Sequence, residues 1–358
     1  MDEKISFDNE KICTLQSIFR IGIREVKKAS PYIVTLLLLG LVYVVVSVTK
    51  SIPTQSLSKT ISFSEEGVFW TNQIKNEGDV AAWNAFKKMY RRGYGRPVAH
   101  AHAHIFGNAL FEVEGIKGAV VCDDSFEAGC QHAFFGRAIV ISGTSVIPEL
   151  EKVCFEKAGE FAYSCPHGIG HGLLEYLGEE NLLDALKGCG DLTSQSYQFA
   201  CRTGVFMEYD FHGMVDLVAT AGWRTHDTET PFEPCDTDTL KEYANACYIE
   251  KPLWWRRAYK KNYSEMGQLC AKVQNPDDRR SCFRGIGRWA VVYENYNIQN
   301  TISACDTMPN REASLYCRAR VMEVFVSSSE VNNEYPLLCQ KGLSESEQKT
   351  CISEIHHY

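Results

Sequence analysis

The sequence predicts an all-α protein: one transmembrane helix, then an α-solenoid of about seven to eight disulfide-stapled helical hairpins. Three observations carry this expectation. The cysteines beyond residue 121 come in pairs whose first members recur roughly every 35 residues, the length scale of stacked helical hairpins. The stretches between them place apolar residues at helical spacing and break at Pro and Asn. A single uncharged apolar run, YIVTLLLLGLVYVVVSV at 32–48, precedes all of them.

Taken in order, residues 1–30 are expected to form a cytoplasmic tail and 31–49 the membrane helix. The apolar run has seventeen residues, the lower limit for a spanning helix. Thirty mostly polar residues stand ahead of it and no small-x-small pattern follows Val48, which argues against a cleaved signal peptide. Arg20, Arg24, Lys27 and Lys28 crowd its N-terminal flank, whereas only Lys50 and Lys59 lie close behind it. The positive-inside tendency therefore keeps the N-terminus in the cytoplasm and sends residues 50–358 to a periplasmic, extracellular or lumenal compartment. The cysteines agree. Of fifteen, Cys13 alone precedes the span; the fourteen that follow are even in number, as a disulfide framework in an oxidising compartment requires.

Residues 50–77 read as a stalk or linker and 78–358 as the repeat domain. The pairs are Cys122/Cys130, Cys154/Cys165, Cys189/Cys201, Cys235/Cys247, Cys270/Cys282, Cys305/Cys317 and Cys339/Cys351, and the last five are each twelve apart. In LCAKVQNPDDRRSCFRGIGRWAVVYEN, from Leu269, Gln-Asn-Pro ends one helix, and Asp277 and Asp278 suit the first turn of the next. Cys282, Ile286, Trp289 and Val292 then follow at helical spacing. The unit ACDTMPNREASLYCRARVMEVFV repeats this layout with Pro309 as the breaker. Each unit is thus expected to hold two helices, with one cysteine near the end of the first and one about two turns into the second. Antiparallel packing brings those positions together, so pairing within each unit is expected, with pairing between neighbours left open. A cysteine-free unit comes first: GDVAAWNAFKKMYRRGYG as its first helix and PVAHAHAHIFGNALFEVEG, from Pro97, as its second. In architecture, residues 78–358 resemble the Sel1-like and tetratricopeptide (TPR-like) helical repeat proteins, especially the disulfide-bonded Sel1-like ones. That resemblance implies a stacked helical array of the kind used as a protein-interaction scaffold; no binding residue is carried over from it.

Seven of the ten histidines fall between residues 100 and 212. His132 and His167 each stand two residues past the second cysteine of their unit, and His171 lies one helical turn beyond His167. His100 and His104 have the same four-residue spacing, which presents two imidazoles on one helix face to one metal ion. His102 would point elsewhere on a helix, whereas a strand would align all three; the Ala-rich sequence favours the helix. Neighbouring second helices would then offer His100, His104, His132, His167 and His171 to one transition metal (Zn, Fe, Cu or Ni). Glu208 and Glu175 are the candidate carboxylates for a ligand, base or proton carrier. The insertion between Cys201 and Cys235 is placed to cover the site.

Other features have plainer readings. Gly168, Gly170 and Gly172 recur in part as Gly285 and Gly287, where no histidine is present, and so belong to helix packing. PLWWRRAYKKNY, from Pro252, reads as core rather than as a lipid-facing patch. A net charge of −8 and the lack of a basic stripe exclude nucleic acid as a partner. There is no P-loop, dinucleotide fingerprint, nucleophile elbow or HExxH. Two functions are expected: a His-rich metal-binding protein, possibly a metalloenzyme, or a protein-binding scaffold whose histidines are structural or sense pH.

Overall fold

The computed structural model describes residues 62–91, 96–159, 163–212, 222–224, 229–327 and 335–356. The cytoplasmic tail and the transmembrane helix expected at 31–49 lie outside them. Among the described residues no helix is long and apolar enough to cross a membrane. Fourteen α-helices follow one another among the described residues: α1 (Phe63–Glu77), α2 (Asp79–Tyr90), α3 (Arg96–Glu114), α4 (Gly129–Ser142), α5 (Ile147–Ala158), α6 (Ser164–Leu177), α7 (Leu182–Gly188), α8 (Gln195–Asp210), α9 (Ala244–Ala258), α10 (Tyr263–Cys270), α11 (Pro276–Tyr293), α12 (Ile298–Asp306), α13 (Arg311–Ser327) and α14 (Glu345–Ser353). A two-residue antiparallel pairing, β1 (Phe211–His212) with β2 (Gly222–Trp223), follows α8.

Local chemistry starts the helices. Ser62, Asn262 and Ser344 each close a capping box with the glutamate three residues on. Asn275 accepts from the amides of Asp277 and Asp278, with Pro276 at the first helical position. All seven disulfides join the two cysteines of one unit, with Cα–Cα separations of 5.4–6.0 Å, inside the range such a bridge needs. The pairing expected from the hairpin layout is therefore the pairing found.

The second helices of successive units, α3, α4, α6, α8, α9, α11 and α13, each pack against the next. Glycine at a fixed register makes this approach possible. Counted from the second cysteine of a unit, Gly168, Gly204 and Gly285 stand at +3 and face the preceding helix. A Cβ on Gly168 would lie 2.7 Å from the His132 carbonyl oxygen, and one on Gly204 or Gly285 would overlap the carbonyls of His167 or Ile249. Gly170 and Gly287, at +5, face the carbonyls of Cys201 and Cys317 on the following helix, and Gly107 faces that of Cys130 in the same way. The cysteine-free unit thus shares the register, with His102 standing where its cysteine would be. Close backbone contact along the row offsets the roughly 1 kcal/mol that each helical glycine costs relative to alanine.

Two expectations need correction. Residues 63–77, assigned to a linker, form α1, whose Trp70 and Ile74 are buried and which packs against α3. Nor does every unit hold two α-helices. Cys122 follows the 3-10 turn Gly115–Val120, Cys235 lies in turns ahead of the 3-10 segment Asp238–Tyr243, and Cys339 ends the 3-10 segment Tyr335–Cys339. In the first of these the cysteines are only eight positions apart. In the other two, Pro231, Pro234 and Pro336 remove backbone donors that an α-helix would use. The aromatic run after Pro252 is core, as expected. Trp254 and Trp255 are fully buried, and their indole N–H groups donate to the carbonyls of Arg224 and Pro231.

Candidate metal centre

Equal register positions on packed helices come to lie side by side, and this is what gathers the histidines. His132, His167 and Thr203 stand two residues past the second cysteine on α4, α6 and α8, and His104 holds the same place on α3. His100 lies one turn before that position and His171 one turn after it. The result is a string of five imidazoles. Ring centres are separated by 4.6 Å for His100–His104, 5.7 Å for His100–His132 and 6.0 Å for His104–His132. They then continue at 5.0 Å for His132–His167, 6.1 Å for His132–His171 and 4.8 Å for His167–His171. His100, His104 and His132 each offer one ring nitrogen, all within 4.8 Å of one another. This triad can hold a metal ion.

Hydrogen bonds behind the rings set their protons. His100 Nδ1 donates to the Phe126 carbonyl at 2.7 Å. His171 Nδ1 donates to Glu208 Oε2 at 2.9 Å. His167 Nδ1 donates to Thr203 Oγ1 at 2.8 Å, and the Thr203 hydroxyl passes its own proton to the Ala200 carbonyl at 2.7 Å. A ring whose proton is fixed on Nδ1 presents a bare Nε2, which is how metal-bound histidines are oriented. Among the described residues, Nε2 of His167, Nε2 of His171 and Nδ1 of His132 are buried with no hydrogen-bond partner. Each such orphan costs about 1–3 kcal/mol, a cost that coordination to a cation would relieve.

Burial dominates the electrostatics. It pushes the His100 imidazole down to about 4 and that of His171 down to about 3. His132 and His167 are held well below the usual histidine range by burial, with neighbouring imidazoles adding to the effect. All four rings are therefore neutral at physiological pH, the form that binds metals.

The other sequence candidates occupy different places. His102 turns to the opposite face of α3, as the helical reading requires, where Nδ1 bonds Glu66 and the ring stacks on Tyr90. Glu208 is buried and engaged with His171. Glu175 is half-buried on α6, one turn beyond His171. Most of the insertion expected to cover the site, at 213–221 and 225–228, lies outside the described residues.

Sequence reasoning missed four participants: Thr203, Arg288, Glu250 and Tyr163. Thr203 shares the register of His132 and His167, so aligning units on their second cysteines would have exposed it. Arg288 occupies the register of His171; it bonds the hydroxyl of Tyr163 and forms a buried ion pair with Glu250. Tyr163 stacks on His167 with ring centres 5.3 Å apart and bonds Thr203 at 2.6 Å; nothing in the sequence marks it. The histidine string thus passes directly into a buried Tyr–Glu–Arg network built by the later units.

No protein-family model, no curated protein and no solved structure matches this chain. The likeness to Sel1-like and TPR-like repeats is one of period and hairpin layout.

Proposed function

We propose that the protein is a membrane-anchored, extracytoplasmic metalloprotein whose α-solenoid binds a transition-metal ion through His100, His104 and His132. The observation that carries this reading is the placement of three ring nitrogens within 4.8 Å of one another by two packed helices. The Nδ1 bond of His100 to Phe126 leaves the lone pair on Nε2, which stands 3.0 Å from His104 Nε2, so the two nitrogens face the same point. Three imidazoles favour Zn²⁺, Cu²⁺, Ni²⁺ or Fe²⁺ over the hard cations that prefer oxygen. The anchor and its compartment rest on the apolar run at 32–48 with its basic N-terminal flank. Seven disulfides fit an oxidising environment.

A bound ion would supply Lewis acidity or redox chemistry toward water or O₂. His104 and His132 are buried whereas His100 is half-buried, so access is from the His100 side. Glu208, engaged with His171, suits an orienting role; Glu175 is the candidate proton carrier.

The test is metal analysis of the untagged full chain in detergent, before and after incubation with Zn²⁺, Cu²⁺, Ni²⁺ and Fe²⁺. At least one ion per chain is expected, with loss of that ion in His100→Ala/His104→Ala. Wild-type protein that stays metal-free, with a melting temperature unmoved by any of the four ions, refutes the reading and leaves the protein-binding scaffold in its place.

A further inference from the structure

We propose that His132 is a bridging ligand between two metal positions, the second completed by His167 and His171. The inference extends the reading of the first triad and rests on different atoms. His132 belongs to two imidazole triangles of similar ring-centre spacing, of which only the first brings one nitrogen of every ring within 4.8 Å. The first, with His100 and His104, has sides of 4.6, 5.7 and 6.0 Å between ring centres. The second, with His167 and His171, has sides of 4.8, 5.0 and 6.1 Å. Each triangle combines an i,i+4 pair on one helix with the single histidine of α4, which lies between those two helices and packs against both.

The second triangle is marked by orphaned nitrogens. Nε2 of His167, Nε2 of His171 and Nδ1 of His132 are buried without a hydrogen-bond partner among the described residues. Structural histidines do not need this arrangement, since a buried ring is ordinarily bonded at its polar atoms. Thr203 and Glu208 hold the Nδ1 protons of His167 and His171 and so aim both lone pairs away from their own supports. A carboxylate behind a ligating imidazole is the usual outer partner of a metal-bound histidine. His132 has no such partner on Nδ1. With one nitrogen for each position it serves both as an imidazolate, its ring proton leaving to solvent when the second ion binds. The preference is for a divalent ion that accepts imidazolate nitrogen, Cu²⁺ or Zn²⁺.

The experiment uses the full chain in detergent, stripped of metal and titrated with Cu²⁺ as the probe. Bound copper is counted per chain, and electron paramagnetic resonance intensity is measured on the same samples. Wild-type protein is expected to bind two ions, with its signal diminished by exchange coupling through the shared ring. His167→Ala/His171→Ala should bind one ion at full signal intensity. Glu208→Gln, which keeps the size of the side chain, should weaken the second ion by about 10–100-fold and leave the first unchanged. One ion in the wild type, unchanged in His167→Ala/His171→Ala, overturns the second position while the first triad stands. Two ions at full, uncoupled intensity overturn the bridge. No ion at all removes both positions.

Discussion

Gly204→Ala tests whether the metal centre depends on close contact between helix backbones. A Cβ at this position on α8 would overlap the His167 carbonyl oxygen and come within 3.2 Å of the Gly170 Cα. Both obstacles are backbone, so neither can swing aside, and α6 and α8 must separate by roughly an ångström to restore ordinary contact. Overpacking of this kind costs about 1–3 kcal/mol. Separation also stretches the 2.8 Å bond from His167 to Thr203, and leaving that buried pair unsatisfied adds about 1–3 kcal/mol. Alanine recovers about 1 kcal/mol of helix propensity. The expected net loss is therefore near 3 kcal/mol, about one-fifth to three-fifths of a typical domain's stability. The assay is urea denaturation of the disulfide-intact protein followed by circular dichroism. Gly190→Ala is the control: nothing lies within 4 Å of a Cβ there, and the change should stay within about 0.5 kcal/mol of wild type. Gly204→Ala should also lower copper affinity. If it proves as stable as Gly190→Ala, the close approach is not what holds the row together, and the account of the glycines fails.

Three further outcomes are expected. Non-reducing peptide mapping should recover seven intra-unit disulfides, and Cys270→Ser/Cys282→Ser should cost about 3 kcal/mol in the chain-entropy account; equal unfolding midpoints for variant and wild type would contradict it. In metal-free protein the buried histidines bind fewer protons folded than unfolded, so stability should be level above about pH 7 and fall as pH drops below the unfolded value near 6.5. The loss should continue down to about 4 for His100 and about 3 for His171, each group contributing at most about 1.4 kcal/mol per pH unit; a urea midpoint unchanged between pH 7 and pH 5 would show that the rings are not buried as neutral groups. Arg288→Ala takes from Glu250, itself 2% exposed, its ion-pair partner and should cost about 3–5 kcal/mol. Adding Glu250→Leu should restore much of that loss, and failure to do so would assign the cost to packing around Tyr163 instead.

The cysteine ladder made the disulfide pairing legible, because a separation of twelve in a helical hairpin brings two positions beside the turn whatever the rest of the unit contains. Histidines four apart were legible as pairs because helix geometry puts i and i+4 on one face, and His102 was legible as the odd one out for the same reason. The helical nature of 63–77 was missed because it lies outside the cysteine period, although Ser62 and Glu65 announce a capping box. The units of Cys122, Cys235 and Cys339 were drawn with a first helix that short spacing or proline denies them.

By itself the sequence determined which side chains lie on which face of which helix and which cysteines staple each hairpin, since both follow from local periodicity. Only the tertiary structure decided that α4 stands between the two histidine pairs, that Thr203 and Glu208 fix two ring protons, and that Tyr163 meets Arg288 from 125 residues away. Those relations depend on how far apart packed helices stand and which faces they turn to each other. Here that distance is set by glycines meeting carbonyl oxygens across the row, an interaction whose partner no local pattern can name.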